Sequence, residues 1–194
     1  TRRLRARSAV AVAASVRAAF HREFWRDAAD GYGSGNQACN AIALYLDLVP
    51  TALRPRVVAA LVREVARHDY HLTTGNLCTK YLLEVLSAEG HIETALAIAT
   101  QTTYPGWGFM LANGATTLWE RWELLTGGGM NSHNHPMLGS VGAWLYRWVA
   151  GLAVAEPRGG ATAHFLIRPP FVGAVTSARA TLPTEAEQGF ARAV

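Results

Sequence analysis

The chain has 194 residues, of which 50% are hydrophobic and 16% charged, a composition that supports a buried core and excludes a disordered segment. The formal charge of +4 rests on arginines that are scattered apart from Arg2, Arg3, Arg5 and Arg7. There is no basic stripe interleaved with aromatics of the kind nucleic-acid binding requires.

No Met precedes Thr1, so the sequence is expected to be a processed product or a piece of a longer chain. The basic flank followed by the Ala-Val-rich residues 9–14 has the outline of a secretion signal. However, Val12, Val16, Phe20 and Phe24 keep a four-residue spacing past Arg17 and Arg22, which predicts an amphipathic helix. No stretch reaches the roughly 18 apolar residues of a membrane span, so no membrane partner is expected. The next run is predicted to bury Ala38, Ala41, Ile42, Tyr45 and Leu48. After Pro50 and Pro55, another buries Val58, Leu61, Val62 and Val65. Tyr81, Leu82, Val85 and Leu86 form a third face that ends at Gly90. Ile92, Ala95, Leu96 and Ala99 follow at once, which predicts a helical hairpin. The last run carries Leu138, Val141, Leu145, Trp148 and Leu152. Beyond it, Pro157, Gly159 and Gly160 form a break, and HFLIRP and GAVTSARATLP are expected to be strands. Strands of this length need partners. Cys39 and Cys78 lack CxxC spacing, so neither a zinc ribbon nor a disulfide framework is implied.

The loops between these helices are rich in Gly, Trp, His and Asn: residues 30–37, 70–76, 104–122 and 127–136. Irregular segments on a rigid helical scaffold are where binding groups are usually placed. In GATTLWERWELL, Glu120 and Glu123 stand beside Trp119 and Trp122. Indoles pack on the CH faces of sugars, and a carboxylate in a partly apolar pocket can be tuned for acid or base work. The same spacing is also a capping box, with Thr116 or Thr117 as N-cap and Glu120 at the third helical position. In MNSHNHP, His133 and His135 have HxH spacing, and His68 and His71 lie elsewhere as further candidates. No Cys or carboxylate completes a zinc pattern, so a hydrogen-bonding or helix-capping histidine is the favoured reading and no metal or cofactor is expected. Pro105, Gly106 and Gly108 are read as holding Trp107 in a loop too constrained for a helix, either to stack on a sugar or to plug a rim. Gln37 and Tyr32 have polar reach but could serve only the turn.

Taken together, GSGNQACNAIALYLDLVP, HLTTGNLCTKYLLEVLSAEGH, QTTYPGWGFMLANGATTLWERW and MNSHNHPMLGSVGAWLYRWVAGL resemble, in order and spacing, the α-L-rhamnosidases of glycoside hydrolase family 78. The resemblance runs from about Phe20 to Leu152, and the tail is similar to the start of that family's C-terminal β-sandwich. It implies a mainly α chain: residues 1–152 as the C-terminal half of an (α/α)6 barrel, and residues 153–194 as the start of the sandwich. It also implies hydrolysis of terminal α-L-rhamnose from a glycoside or oligosaccharide with inversion. Inverting enzymes flank the bond with two carboxyl groups roughly 6.5–9.5 Å apart, leaving room for the attacking water. The family's base, the Glu of its GATT-aliphatic-WE motif, falls on Glu120. His135 falls where the family has a histidine at the sugar subsite, and Trp107 aligns with an aromatic of the same rim. Trp119 and Gln37 complete the candidate sugar-binding set, and Glu123 reads as a surface helix residue.

The family's general acid lies in an acidic motif on the first half of the barrel, and that motif does not occur in this sequence. The chain is therefore expected to need the remaining half of the barrel, from a longer chain or a second one. Two other readings stay open because a fold hosts many chemistries. One is another (α/α)6 sugar enzyme, either a trehalase-like hydrolase or a disaccharide phosphorylase. The other is a non-catalytic carbohydrate-binding piece.

Overall fold

The computed structural model describes residues 2–127, 129, 131–155, 164–173, 175–183 and 190–193. The expected break at Pro157, Gly159 and Gly160 lies outside them, as does Met130 of the MNSHNHP motif. The described residues are mainly helical, with three two-stranded antiparallel sheets.

Helix α1 (Arg2–Phe24) is continuous, as the four-residue spacing predicts, and among its described side chains it meets the body of the fold from Arg17, which pairs with Asp47, to its end. Val10, Val12 and Val16 are exposed, whereas Phe20 stacks on Tyr32 at 5.3 Å. The His21 Nδ1 and the Tyr32 hydroxyl share a hydrogen bond of 3.0 Å. A short hairpin, β1 (Trp25–Arg26) with β2 (Gly31–Tyr32), then leads into α2 (Gln37–Tyr45). Asn36 caps α2, its side chain accepting from the Cys39 N–H at 2.8 Å. The buried face of α2 is Gln37, Asn40, Ala41, Ala43 and Leu44; of the predicted set only Ala41 is buried, Ala38, Ile42 and Leu48 are partly so, and Tyr45 is exposed. Two of these buried residues are polar. Asn40 accepts from the Tyr32 N–H at 2.9 Å and donates to the Gly35 carbonyl at 3.0 Å, so it ties the loop that precedes α2.

Helix α3 (Arg54–Arg67) begins with Pro55 in its first turn, where the missing N–H costs nothing. It buries Val57, Val58, Ala60, Leu61 and Val65. Helix α4 (Thr79–Ala88) and α5 (Ile92–Ala99) form the expected hairpin about Gly90, whose φ of 85° is left-handed. Helix α4 is central, packing on both α2 and α5, and Leu82, Leu83, Val85 and Leu86 are its contribution to the core.

Helix α6 (Trp107–Ala112) starts at Trp107, where a helix-free loop was predicted. Gly108 lets the first turn of this helix lie close against the backbone of Gln101 and Thr102. A Cβ on Gly108 would lie 2.5 Å from the Gln101 carbonyl oxygen, and the Gly108 N–H donates to that oxygen at 3.2 Å.

Helix α7 (Ser140–Trp144) also packs on α4 and continues as a π turn, Leu145–Val149. Trp144 donates from Nε1 to the Ser87 Oγ at 2.8 Å, and Trp148 to the Glu84 carboxylate at 2.8 Å. The helix does not extend to Leu152. At Gly151 (φ 68°) the chain turns into β3 (Leu152–Ala155), which pairs with β4 (His164–Ile167). The Arg168 N–H donates to the Gly151 carbonyl at 2.7 Å, and a Cβ at Gly151 would overlap the Arg168 carbonyl at 2.2 Å. Among the described residues of GAVTSARATLP, the strand is β5 (Ala180–Pro183), paired with β6 (Phe190–Ala193).

Candidate active site

The segment after α6 is irregular, so the predicted capping box does not form. Tertiary pairing takes its place. The His135 N–H donates to the Leu118 carbonyl at 2.8 Å, and the Glu120 N–H to the Ser132 carbonyl at 2.8 Å. The Thr117 hydroxyl donates to the His133 carbonyl. Residues 118–120 and 132–135 thus run side by side, and GATTLWE is held by MNSHNHP rather than by a helix of its own.

The carboxylate of Glu120 is part of this pairing. Its Oε2 accepts from the Ser132 N–H at 3.0 Å, so Glu120 and Ser132 exchange one main-chain and one side-chain bond. Trp119 and Trp122 on either side are buried. One face of Trp119 is stacked by His133 at 5.1 Å, and Phe109 meets it edge-on at 6.4 Å. Trp122 meets Trp107 in a T-shaped contact at 5.1 Å and donates from Nε1 to the Thr74 carbonyl at 2.7 Å. Two buried indoles thus anchor the strip 119–122.

A cleft of about 370 Å³ opens on this strip. Glu120, Arg121, Trp122 and Glu123 form one wall; Leu72 to Asn76 and Tyr104–Pro105 form the others. The wall at residues 71–74 is tied down from below. Gln37, fully buried, donates from Nε2 to the His71 carbonyl at 2.9 Å and accepts at Oε1 from the Thr73 N–H at 2.9 Å. His71 in turn shares a 2.7 Å hydrogen bond with the Thr103 hydroxyl, next to Tyr104.

Of the residues singled out by sequence, the structure brings Glu120 to the cleft. Trp119 lies behind it in the core, and His135 lies one pairing step away on the supporting strip. Trp107 is buried, with its Nε1 donating to the Leu138 carbonyl at 3.0 Å. Gln37 supports the opposite wall through both ends of its amide. The reading of Glu123 as a surface helix residue is corrected: it is not on a helix, and it lines the cleft. The Arg121 guanidinium grips its two oxygens from Nε at 3.2 Å and Nη2 at 3.1 Å, which holds the Glu123 carboxyl below the usual carboxylate range. Tyr104, Asn76 and Thr73 are cleft residues that lie in the loops noted in the sequence but were not singled out as site residues. Among the described residues, no three His, Cys, Asp or Glu side chains are grouped to hold a metal ion. No described helix is long and apolar enough to cross a membrane.

A mainly helical body of hairpins with a carboxylate-lined cleft between its loops is the arrangement of a helical-hairpin glycosidase. Residues 6–149 match the bacterial alpha-L-rhamnosidase 6 hairpin glycosidase domain, and the chain belongs to that family. An alpha-L-rhamnosidase of Streptomyces avermitilis is 42% identical over 79% of the chain, and one of Formosa agariphila is 32% identical over 88%. The chain spans 15% and 19% of those two relatives. Among solved structures, the alpha-L-rhamnosidase of Dictyoglumus thermophilum superposes with a TM-score of 0.85 at 42% identity, over 94% of this chain and 20% of that one. The Streptomyces avermitilis alpha-L-rhamnosidase complexed with L-rhamnose gives 0.81 at 36% identity, over 91% and 17%.

Proposed function

We propose that this chain supplies the base-bearing wall of an inverting α-L-rhamnosidase. Residues 1–152 are part of an (α/α)6 catalytic barrel, and residues 153–194 begin a C-terminal β-sandwich. The substrate is a glycoside or oligosaccharide ending in α-L-rhamnose. The relatives' names and the L-rhamnose complex of one of them support this reading. The observation that carries it is the pair of hydrogen bonds that Glu120 exchanges with Ser132 at the wall of a cleft.

In this reading, the Ser132 N–H fixes Oε2, and Oε1 takes the proton of a water attacking the anomeric carbon. A fixed carboxylate loses no orientational freedom at that moment, which is the advantage of a preorganised base. The other carboxyl group, the acid that protonates the leaving oxygen, comes from polypeptide that completes the barrel. His135 and the two indoles 107 and 119 act by holding the strip that carries Glu120. Gln37 acts on the sugar through the 71–74 wall.

The test is made in the complete enzyme, with the barrel whole. Glu120→Gln should lower turnover of an aryl α-L-rhamnoside by about 10²–10⁴-fold, the usual worth of a positioned proton acceptor. Proton NMR of the first product should show the β anomer. A variant within about tenfold of the parent assigns the base elsewhere, and a first-formed α anomer rules out inversion.

A further inference from the structure

We propose that the Arg121–Glu123 pair reads a hydroxyl of the sugar whose anomeric carbon Glu120 serves, with Glu123 as acceptor and Arg121 as its positioning residue. The inference rests on the proposed function and deepens it.

The pair is placed by the fold rather than placing it. Trp119 and Trp122 anchor the strip through buried contacts. The ion pair itself is half open to solvent, with side-chain exposures of 53% for Arg121 and 38% for Glu123. Pairs this exposed contribute little to stability, so holding the fold together does not account for it. What the pair does is fix a carboxylate in direction. Each Glu123 oxygen accepts one guanidinium N–H, and a carboxylate offers about four lone-pair positions. Acceptor capacity is left for a hydroxyl entering the cleft, where Tyr104 and Asn76 stand opposite.

Geometry decides which sugar is read. The base of an inverting enzyme activates a water that attacks from the face remote from the breaking bond. Side chains on the wall that carries Glu120 therefore meet the sugar being released, not its leaving group. The guanidinium also holds the Glu123 carboxyl down, which suits an acceptor and disqualifies it as the general acid, since that role needs a raised value.

The experiment compares Glu123→Gln, Glu123→Asp and Glu120→Gln in the complete enzyme on an aryl α-L-rhamnoside and its mono-deoxy analogues, one hydroxyl removed at a time. Glu123→Gln should raise KM about tenfold or more, the scale of one charge-assisted hydrogen bond, with kcat changed by less than about threefold. For one deoxy analogue the difference between parent and variant should vanish. Glu123→Asp, which keeps the charge, should lie between the two and guards against a folding loss. An unchanged KM in Glu123→Gln, or equal losses on every analogue in both Glu123 variants, overturns the inference. Retained turnover in Glu120→Gln would instead sink the proposed function, whatever Glu123 does.

Discussion

The indole nitrogen of Trp122 donates to the carbonyl of Thr74 at 2.7 Å, joining residues 48 positions apart across the base of the cleft. This one bond couples the wall that carries Glu120 to the loop that faces it. The distance between the two walls is set by a buried, directional contact rather than by loop length.

Trp122→Phe keeps much of the apolar surface but removes the stronger donor to the Thr74 carbonyl, leaving only the 3.4 Å bond from the Thr79 hydroxyl. Loss of a buried hydrogen bond costs about 1 kcal/mol, so the melting temperature should fall. Because the bond also spaces the two walls, kcat/KM should drop further than for a mutation of equal stability cost on α3. A melting curve identical to the parent's would show that water replaces the indole N–H.

Gln37→Ala separates support from sugar contact. The change removes two hydrogen bonds, to the His71 carbonyl and from the Thr73 N–H, and should destabilise the fold by about 1–3 kcal/mol. If Gln37 acts through the loop, well below the melting temperature KM should change less than for Glu123→Gln. A larger KM effect at unchanged stability would make Gln37 a direct ligand of the sugar.

Gly108→Ala tests the close approach that lets α6 begin where it does. With the added Cβ 2.5 Å from the Gln101 carbonyl oxygen, backbone has to move, and overpacking of this kind costs about 1–3 kcal/mol. Chemical denaturation should show a lower midpoint with an unchanged slope. A neutral result would mean that the turn from Gln101 to Gly106 yields freely.

Asp30 provides the acid-side prediction. Its carboxyl is held below the ordinary value chiefly by the hydrogen bond from Arg56, with Arg63 adding attraction. A carboxyl depressed in the folded state contributes stability that is present above its unfolded pKa and lost as pH falls through its folded pKa. Asp30→Asn tolerates the left-handed φ of 50° and removes the charge together with one of the two acceptor oxygens. The parent should melt higher than the variant at neutral pH, and the two curves should converge in acid below the usual carboxylate range. A gap that persists in strong acid would assign the effect to packing.

Much of the helical body was legible because its apolar residues recur at helical spacing. The faces of α3 and α4 and the hairpin at Gly90 follow from Val58, Leu61, Leu82, Leu86 and one left-handed glycine. The face of α2 was misphased because two of its buried positions, Gln37 and Asn40, are polar, and a pattern of apolar residues cannot register them. The site was legible only in part. The indoles mark the strip, but Thr116 to Glu120 has the local signature of a helix start, and long-range pairing with residues 132–135 overrides it. Glu123 was misread for the same reason: three residues after Glu120 is one turn on a helix, whereas on this irregular strip it leads along the cleft wall. Trp107 was taken for a loop residue because Pro105 and Gly106 precede it, although here they serve as the entry to α6.

The corner at Gly151 links the two kinds of architecture in this chain. Backbone at Arg168 and Pro169, just past the end of β4, comes so near that only a hydrogen atom fits where every other amino acid carries carbon. A π turn precedes this corner and β3 follows it, so the passage from helices to sheet goes through a position with a one-letter alphabet. Any lineage that changes that letter must also re-route the backbone that crosses it.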